Sequence, residues 1–382
     1  MKKFIPSMIV ASLLAVSGAA VSTAQAEVTI GITLPLTGPA SGIGIPMQNS
    51  FKIWPETVGG EKIRLVILDD GTDPGKGASN ARRFVVEDKV DLLMGSVATP
   101  VAATVAEVAL DTKVPQLALA PVALPPGRDG WTFRVPHSNG LMATAVVNHM
   151  VKSGVKTAGF LGYADAYGES WLNEAKVRME KAGIKLVGAE RFARSDTAVT
   201  AQALKLYGAN PDAILIAASG SGAAMPHLAM VDRGFKGKIY QTHGAATRDL
   251  IRLGGKGVEG GLVSSSPVVV ADQLPADHRL KQEGMRFIQA YEKVYGAGSR
   301  NALSAHAWDA YLILEKVIPA ALKKARPGTV EFRTALRDAL ESVPSITVTG
   351  GVLDYTANDH WGYKDNDPII MKIVGGDYKF DQ

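Results

Sequence analysis

Val28-Thr29-Ile30-Gly31-Ile32-Thr33-Leu34, running almost at once into Leu36-Thr37-Gly38-Pro39-Ala40-Ser41-Gly42-Ile43-Gly44, opens the pattern that decides the fold. An apolar, β-branched run closed by a small-residue loop predicts a buried strand. The same beat recurs, with strands predicted at 64–68, 91–94, 114–120, 157–161, 186–192, 213–217, 238–240 and 262–264. Between them lie amphipathic segments of helical length at 78–88, 101–110, 141–151, 168–181, 198–206 and 222–233. A parallel strand pair needs a crossover, and the crossover is usually a helix, so this alternation predicts parallel sheets covered on both faces.

The rhythm starts twice, over 28–120 and again over 155–265, with the extended stretch Trp131-Thr132-Phe133-Arg134-Val135-Pro136 between the two runs. After Ser266-Pro267 it gives way to long helices near 278–295, 301–323 and 329–342, then to short strands near 346–356 and 368–374. Neither run has six clear strands of its own, so the C-terminal elements are expected to return and complete both. The predicted fold is α/β: two doubly wound parallel-sheet lobes joined by a hinge of several crossings. Lobe 1 takes 27–138 plus 268–345 and lobe 2 takes 139–267 plus 346–382.

Upstream of the first strand, Lys2 and Lys3, the apolar run from Phe4 to Val21 and the small-x-small Ala24-Gln25-Ala26 have the layout of a removable export signal. The mature chain is then expected to begin at Glu27 and to work in the periplasm. With no cysteine in its 382 residues it is neither disulfide-stapled nor anchored through a lipidated N-terminal cysteine. The formal charge of +4 falls to about +2 when the two signal lysines leave, too little for a nucleic-acid footprint.

Enzyme signatures fail in turn. Gly71-Thr72-Asp73-Pro74-Gly75-Lys76-Gly77 has the wrong glycine spacing for a phosphate loop, and Gly77 stands where the hydroxyl is required. Ser219-Gly220-Ser221-Gly222 lacks the flanking glycines of a nucleophile elbow. The seven histidines show no metal-binding spacing, and Asp69, Asp70 and Asp73 suit turn N–H groups better than a cation. No catalytic residue, metal or cofactor is expected.

What remains is a set of loops at strand ends, where doubly wound sheets bind ligands. Gly95-Ser96-Val97-Ala98-Thr99-Pro100 leads into a helix with Thr99 as expected N-cap, and its N–H groups at Val101 and Ala102 suit either a structural cap or an anion. Leu119-Ala120-Pro121-Val122, Tyr163-Ala164-Asp165-Ala166-Tyr167-Gly168, Ala218-Ser219-Gly220 and Gln241-Thr242-His243-Gly244 follow other strands.

These loops, with Ile30 to Pro39, Leu68 to Pro74, Phe133-Arg134 and Gly260 to Val263, resemble the type I periplasmic solute-binding proteins of ABC importers. Within that group the likeness is to the branched-chain amino-acid (leucine/isoleucine/valine-binding) family. It spans nearly the whole mature chain and is carried by the order and spacing of the segments together. The resemblance implies a non-enzymatic, monomeric carrier that closes two lobes around a small molecule and docks on an inner-membrane permease. A periplasmic ligand sensor of the same fold is the alternative.

The resemblance places ligand contacts at Ile43, Thr99, Ala120, Val122, Tyr167, Ser219 and His243. Thr99 stands where the family binds the ligand carboxylate, and His243 where amino-acid binders carry an acid for the ammonium. Val122 has no hydroxyl and His243 no negative charge, so a small organic acid with an aromatic or apolar body is expected over an amino acid. A branched-chain amino acid stays the alternative ligand. An unperturbed His243 would titrate near pH 5–8 and make affinity vary there.

Overall fold

The computed structural model describes Met1, residues 27–363 and residues 367–381. The expected export signal, with Ala24-Gln25-Ala26, lies outside the described residues.

Two sheets form the two lobes. The first holds β1 (Val28–Leu34), β2 (Thr57–Val58), β3 (Glu61–Asp69), β4 (Leu92–Gly95), β5 (Gln116–Ala118) and β6 (Thr132–Arg134), in the order β2-β3-β1-β4-β5-β6. All neighbours are parallel except the short edge strand β2. The second holds β7 (Thr157–Tyr163), β8 (Lys185–Phe192), β9 (Ala213–Ala217), β10 (Lys238–Gln241) and β11 (Leu262–Ser265). It gains β14 (Ile369–Val374) and β15 (Asp377–Phe380), in the order β15-β14-β11-β10-β9-β7-β8, the last two strands antiparallel. A separate hairpin pairs β12 (Ile346–Val348) with β13 (Gly351–Leu353). The expected all-parallel sheets are therefore mixed at their edges, where an antiparallel strand needs no helical crossover.

All seven residues of β1 are buried, as a central strand covered on both faces requires. The helices are α1 (Ser41–Phe51), α2 (Pro74–Val86), α3 (Thr99–Thr112), α4 (Asn139–Lys152), α5 (Ala166–Lys181), α6 (Thr200–Gly208), α7 (Ala224–Val231) and α8 (Arg248–Gly254), then α9 (Lys281–Tyr295), α10 (Ala302–Leu322) and α11 (Val330–Ser342). Asp69, Asp70 and Asp73 accept turn and cap N–H groups from Gly71, Thr72 and Lys76.

The C-terminal helices return to the first lobe. Tyr291 and Tyr295 of α9 donate to the Pro46 and Asn49 carbonyls of α1, and Trp54 Nε1 donates to the Ala307 carbonyl of α10. The segment 346–363 also leans on that side. Thr349 N–H donates to Asp309 Oδ1 (2.7 Å), the Tyr355 and Tyr363 hydroxyls donate to the Arg134 and Val135 carbonyls, and His360 stacks on Phe133 at 4.0 Å. The chain thus passes to the second sheet between Tyr363 and Ile369.

The other crossings leave β6 through His137 and β11 through Ser266-Pro267. All three meet around Gly350, where an added Cβ would stand 3.1 Å from His137 Cε1, 3.3 Å from the Tyr363 hydroxyl and 3.6 Å from Ser266 Cβ. His137 stacks on Tyr363 with ring centres 3.9 Å apart.

Beside this junction Asp309 is buried, and desolvation pushes its carboxyl up to about 7. Between its ordinary 3.8 and about 7 the native chain holds a proton that the unfolded chain has lost, so this group's contribution to stability falls as pH rises through that window. Asp309→Asn keeps the acceptor for Thr349 without the charge. Thermal unfolding should show the variant more stable than the parent at pH 8, with the gap closing towards pH 4. A constant gap would mean that Asp309 does not titrate in the fold.

Candidate functional site

Both lobes share one parallel order, β3-β1-β4-β5-β6 in the first and β8-β7-β9-β10-β11 in the second. In each, connections leave the first and third strands of the run in opposite directions and open a crevice at their carboxyl ends. The crevice over β1 and β4 receives the first turn of α1, with Ile43, and the start of α3, with Thr99. The crevice over β7 and β9 receives the start of α5, with Tyr167, and the loop after β9, with Ser219. His243 follows β10.

The two crevices face each other across a cavity of about 330 Å³ of empty space, mouth included. Ile43, Val97, Thr99, Leu119 and Pro121 line it from the first lobe, and Tyr167, Arg194, Ser219, His243 and Gly244 from the second. Pro136 of the first crossing and Leu303 and His306 of α10 complete the wall. The lobes touch at its edge: a Cβ on Gly42 would lie 2.7 Å from Asp249 Oδ2, and one on Gly220 2.9 Å from Ile43 Cγ2.

Five of the residues expected at the site, Ile43, Thr99, Tyr167, Ser219 and His243, are brought together on this wall. Ala120 and Val122 are not. Beyond the end of β5 the chain turns, with the Val122 N–H donating to the Ala120 carbonyl (2.8 Å), and Leu119 and Pro121 face the cavity while Ala120 and Val122 pack with Ala102 and Ala118. The missing hydroxyl at Val122 therefore says nothing about the ligand.

Thr99 is also not the N-cap. Ala98 holds that place, Thr99 is the first helical residue, and the Val101 and Ala102 N–H groups donate to the Ala98 carbonyl at 3.0 and 2.9 Å. The Thr99 hydroxyl makes no capping bond, and its own N–H, at the first helical position, is one that a helix leaves without an internal partner. A hydroxyl and an N–H at the positive end of a 14-residue helix make an acceptor site for an anion.

In the second lobe the Tyr167 hydroxyl donates to Thr242 Oγ1 (2.9 Å) and accepts from Gly244 N–H (3.2 Å), so Tyr167 presents its ring to the cavity. Burial raises that phenol to about 12. Ser219 Oγ accepts from Arg194 Nη1 at 3.1 Å. Arg194 Nε donates to Asp165 Oδ2 at 2.6 Å, and its guanidinium lies 4.1 Å from the Tyr163 ring centre. Asp165 in turn caps α5 by accepting from the Tyr167 and Gly168 N–H groups.

His243 packs between Tyr167 and Trp171, with Nδ1 buried and without a hydrogen-bond partner among the described residues. His306 Nδ1 is likewise unpartnered. Burial, with repulsion from His306 and His137, pushes His243 down to about 3, and burial takes His306 to about 4. The titration expected for His243 near pH 5–8 is thus displaced, and both imidazoles are neutral there, each with one donor and one acceptor. Among the described residues, no Asp or Glu lines the cavity. Sequence reasoning missed Arg194 and His306. The signal for Arg194 was its place just past β8, the neighbour of the crevice strand; His306, inside a long helix, gave none.

The family model described as periplasmic binding protein matches residues 27–375. An extracellular ligand-binding receptor from Rhodopseudomonas palustris is 44% identical, with a TM-score of 0.91 over 93% of this chain and 99% of that one. A second such receptor, from Rhodopseudomonas palustris HaA2, is 38% identical, with a TM-score of 0.88 over 94% of this chain and 100% of that one. A Leu/Ile/Val-binding protein homolog 3 of Brucella melitensis is 24% identical over 88% of this chain and 89% of its own length.

Burial holds His137 at about 3 and His227 at about 4, besides the two cavity histidines. Unfolding lets each take a proton below its ordinary 6.5, so their contribution to stability falls as pH drops from about 6.5 towards 3–4. Four such groups oppose Asp309 and the carboxyls of Asp70 and Asp91, which desolvation also raises. The melting temperature should fall on acidification from pH 7 to 4.5, and His306→Gln should lessen that fall. Identical slopes for parent and variant would show that His306 is not held neutral.

Proposed function

The chain belongs to the periplasmic binding protein family, and from that premise and the cavity's chemistry we propose that it binds a small carboxylate with an apolar or aromatic body between its two lobes, as the solute receptor of an ABC importer. Members of this family bind small molecules and work with ABC permeases, and they are not enzymes. The observation that carries the choice of ligand is that, among the described residues, no acidic side chain stands on the cavity wall. An ammonium shut into such a space would meet Arg194 and neutral imidazoles and lose several kcal/mol of hydration without a counter-charge. A carboxylate would find the Thr99 hydroxyl, the free N–H beside it and the helix dipole. Ile43, Leu119, Pro121 and the Tyr167 ring then enclose the body.

The relatives named for leucine, isoleucine and valine support a branched-chain amino acid as the second reading. Against the expected boundary at 346, the contacts of the 346–363 segment with α10 and β6 lead us to give the first lobe 27–138 and 268–363, and the second 139–267 and 367–381. The protein acts as a monomer in the periplasm.

Calorimetry with phenylacetate, benzoate, hexanoate, leucine and valine separates the readings. Acids should bind and the amino acids should not; tight leucine binding without a response to acids would remove the carboxylate assignment. Thr99→Ala should weaken an acid by about 1–3 kcal/mol with the fold intact. An unchanged dissociation constant would put the carboxylate elsewhere. Because neither half-site encloses a small molecule alone, the radius of gyration in small-angle scattering should fall when ligand is added to the free protein. No fall would point to a preformed pocket.

A further inference from the structure

Among the described residues Arg194 is the one cation on the cavity wall, and nothing in the expected site accounts for it. Its side chain is only 12% exposed. One face lies on Tyr163, Nε is engaged by Asp165 and one Nη1 hydrogen by Ser219. The remaining N–H donors have no partner among the described residues. Donors left over on a mostly buried guanidinium that lines the cavity can take an acceptor from a ligand, and the fork geometry of a guanidinium favours a planar or lone-pair-rich oxygen.

We infer that Arg194, with Ser219, forms a second polar subsite in the far lobe that receives an uncharged oxygen of the ligand, so that the ligand is a monocarboxylate carrying a hydroxyl or keto group at the end opposite its acid. The inference rests on the carboxylate reading above and extends it. Charge decides between an uncharged oxygen and a second carboxylate. Asp165 already balances Arg194, and His243 and His306 are neutral, so the Thr99 end has only a helix dipole to offer the first negative charge. A second negative charge would enter a low-dielectric space with no cation free to meet it. A hydroxyl or keto oxygen takes the same N–H donors and adds no charge. Ser219 supplies the acceptor for a ligand hydroxyl hydrogen, because its Oγ keeps a lone pair beyond the one used by Arg194.

Two matched sets of acids differ only at the far end: phenylacetate, 4-hydroxyphenylacetate and 4-carboxyphenylacetate; hexanoate, 6-hydroxyhexanoate and adipate. Calorimetry on the parent protein should show the hydroxy acid of one set bound about 10- to 100-fold tighter than its unsubstituted partner, the worth of one hydrogen bond to a charged group. The dicarboxylate should bind more weakly than the hydroxy acid. Arg194→Met should erase the hydroxy preference while the unsubstituted acid still binds. Arg194→Lys, which keeps a charge for Asp165, should reduce the preference and leave the melting temperature near that of the parent. A preference that survives Arg194→Met, or a dicarboxylate that binds tightest, would overturn the subsite. Loss of every acid in a folded Arg194→Lys, with Thr99→Ala unaffected, would overturn it too, by placing the carboxylate on Arg194. If no acid binds the parent protein, the carboxylate reading fails first and the subsite with it; failure at Arg194 alone leaves that reading standing.

Discussion

Three crossings of one chain packed into one point hold the architecture together. His137, Ser266 and Tyr363 come from three separate passages between the sheets, and they close on Gly350 because a glycine leaves no side chain between them. A single linker would let the lobes tumble; three strands pinned at one junction confine them to opening and closing about it. The junction is polar as well as crowded, with Asp309 fixing the 346–353 hairpin to α10 and His306 one turn earlier on the same helix reaching the cavity. Hinge and binding site thus share a helix.

The chemistry of the cleft follows from where charge is placed. Each lobe contributes a helix start at its crevice, α3 in the first and α5 in the second, yet the two are not equivalent. Asp165 already occupies the positive end of α5 and draws Arg194 beside it, while the start of α3 carries no acid and no side-chain cap. The positive end left open is therefore the first lobe's, and on the proposed reading that asymmetry would orient the carboxylate.

Most of the fold was legible in the sequence, because buried parallel strands are short apolar runs and every run sat where the pattern put it. The difficulties have physical causes. Glycines and Pro46 disguised α1 as a loop, yet the helix starts at Ser41 and puts Ile43 on its first turn. The strand was expected to run to Ala120, but β5 ends at Ala118, and the turn that the Val122 N–H closes on the Ala120 carbonyl puts Leu119 and Pro121 on the cavity in place of Ala120 and Val122. Thr99 was found for a reason that the structure replaces, since it lies inside the helix and leaves the capping place to Ala98. Arg194 reaches the cavity only because a long side chain lies back over Tyr163, which periodicity does not encode.

The contacts between lobes at Gly42 and Gly220 bear on time as well as shape. With Asp249 lying against Gly42 and Ile43 against Gly220, the lobes touch at the edge of the cleft, and a solute held between them leaves more freely once those contacts part. Where the parting of the lobes is the slow step, the dwell time of a bound molecule has a floor set by how often they part rather than by the solute's own chemistry. Chemically different ligands can differ widely in how fast they are caught, yet they share one ceiling on how fast they escape. For a receptor that must carry its cargo by diffusion to a membrane partner, that ceiling decides whether the cargo arrives.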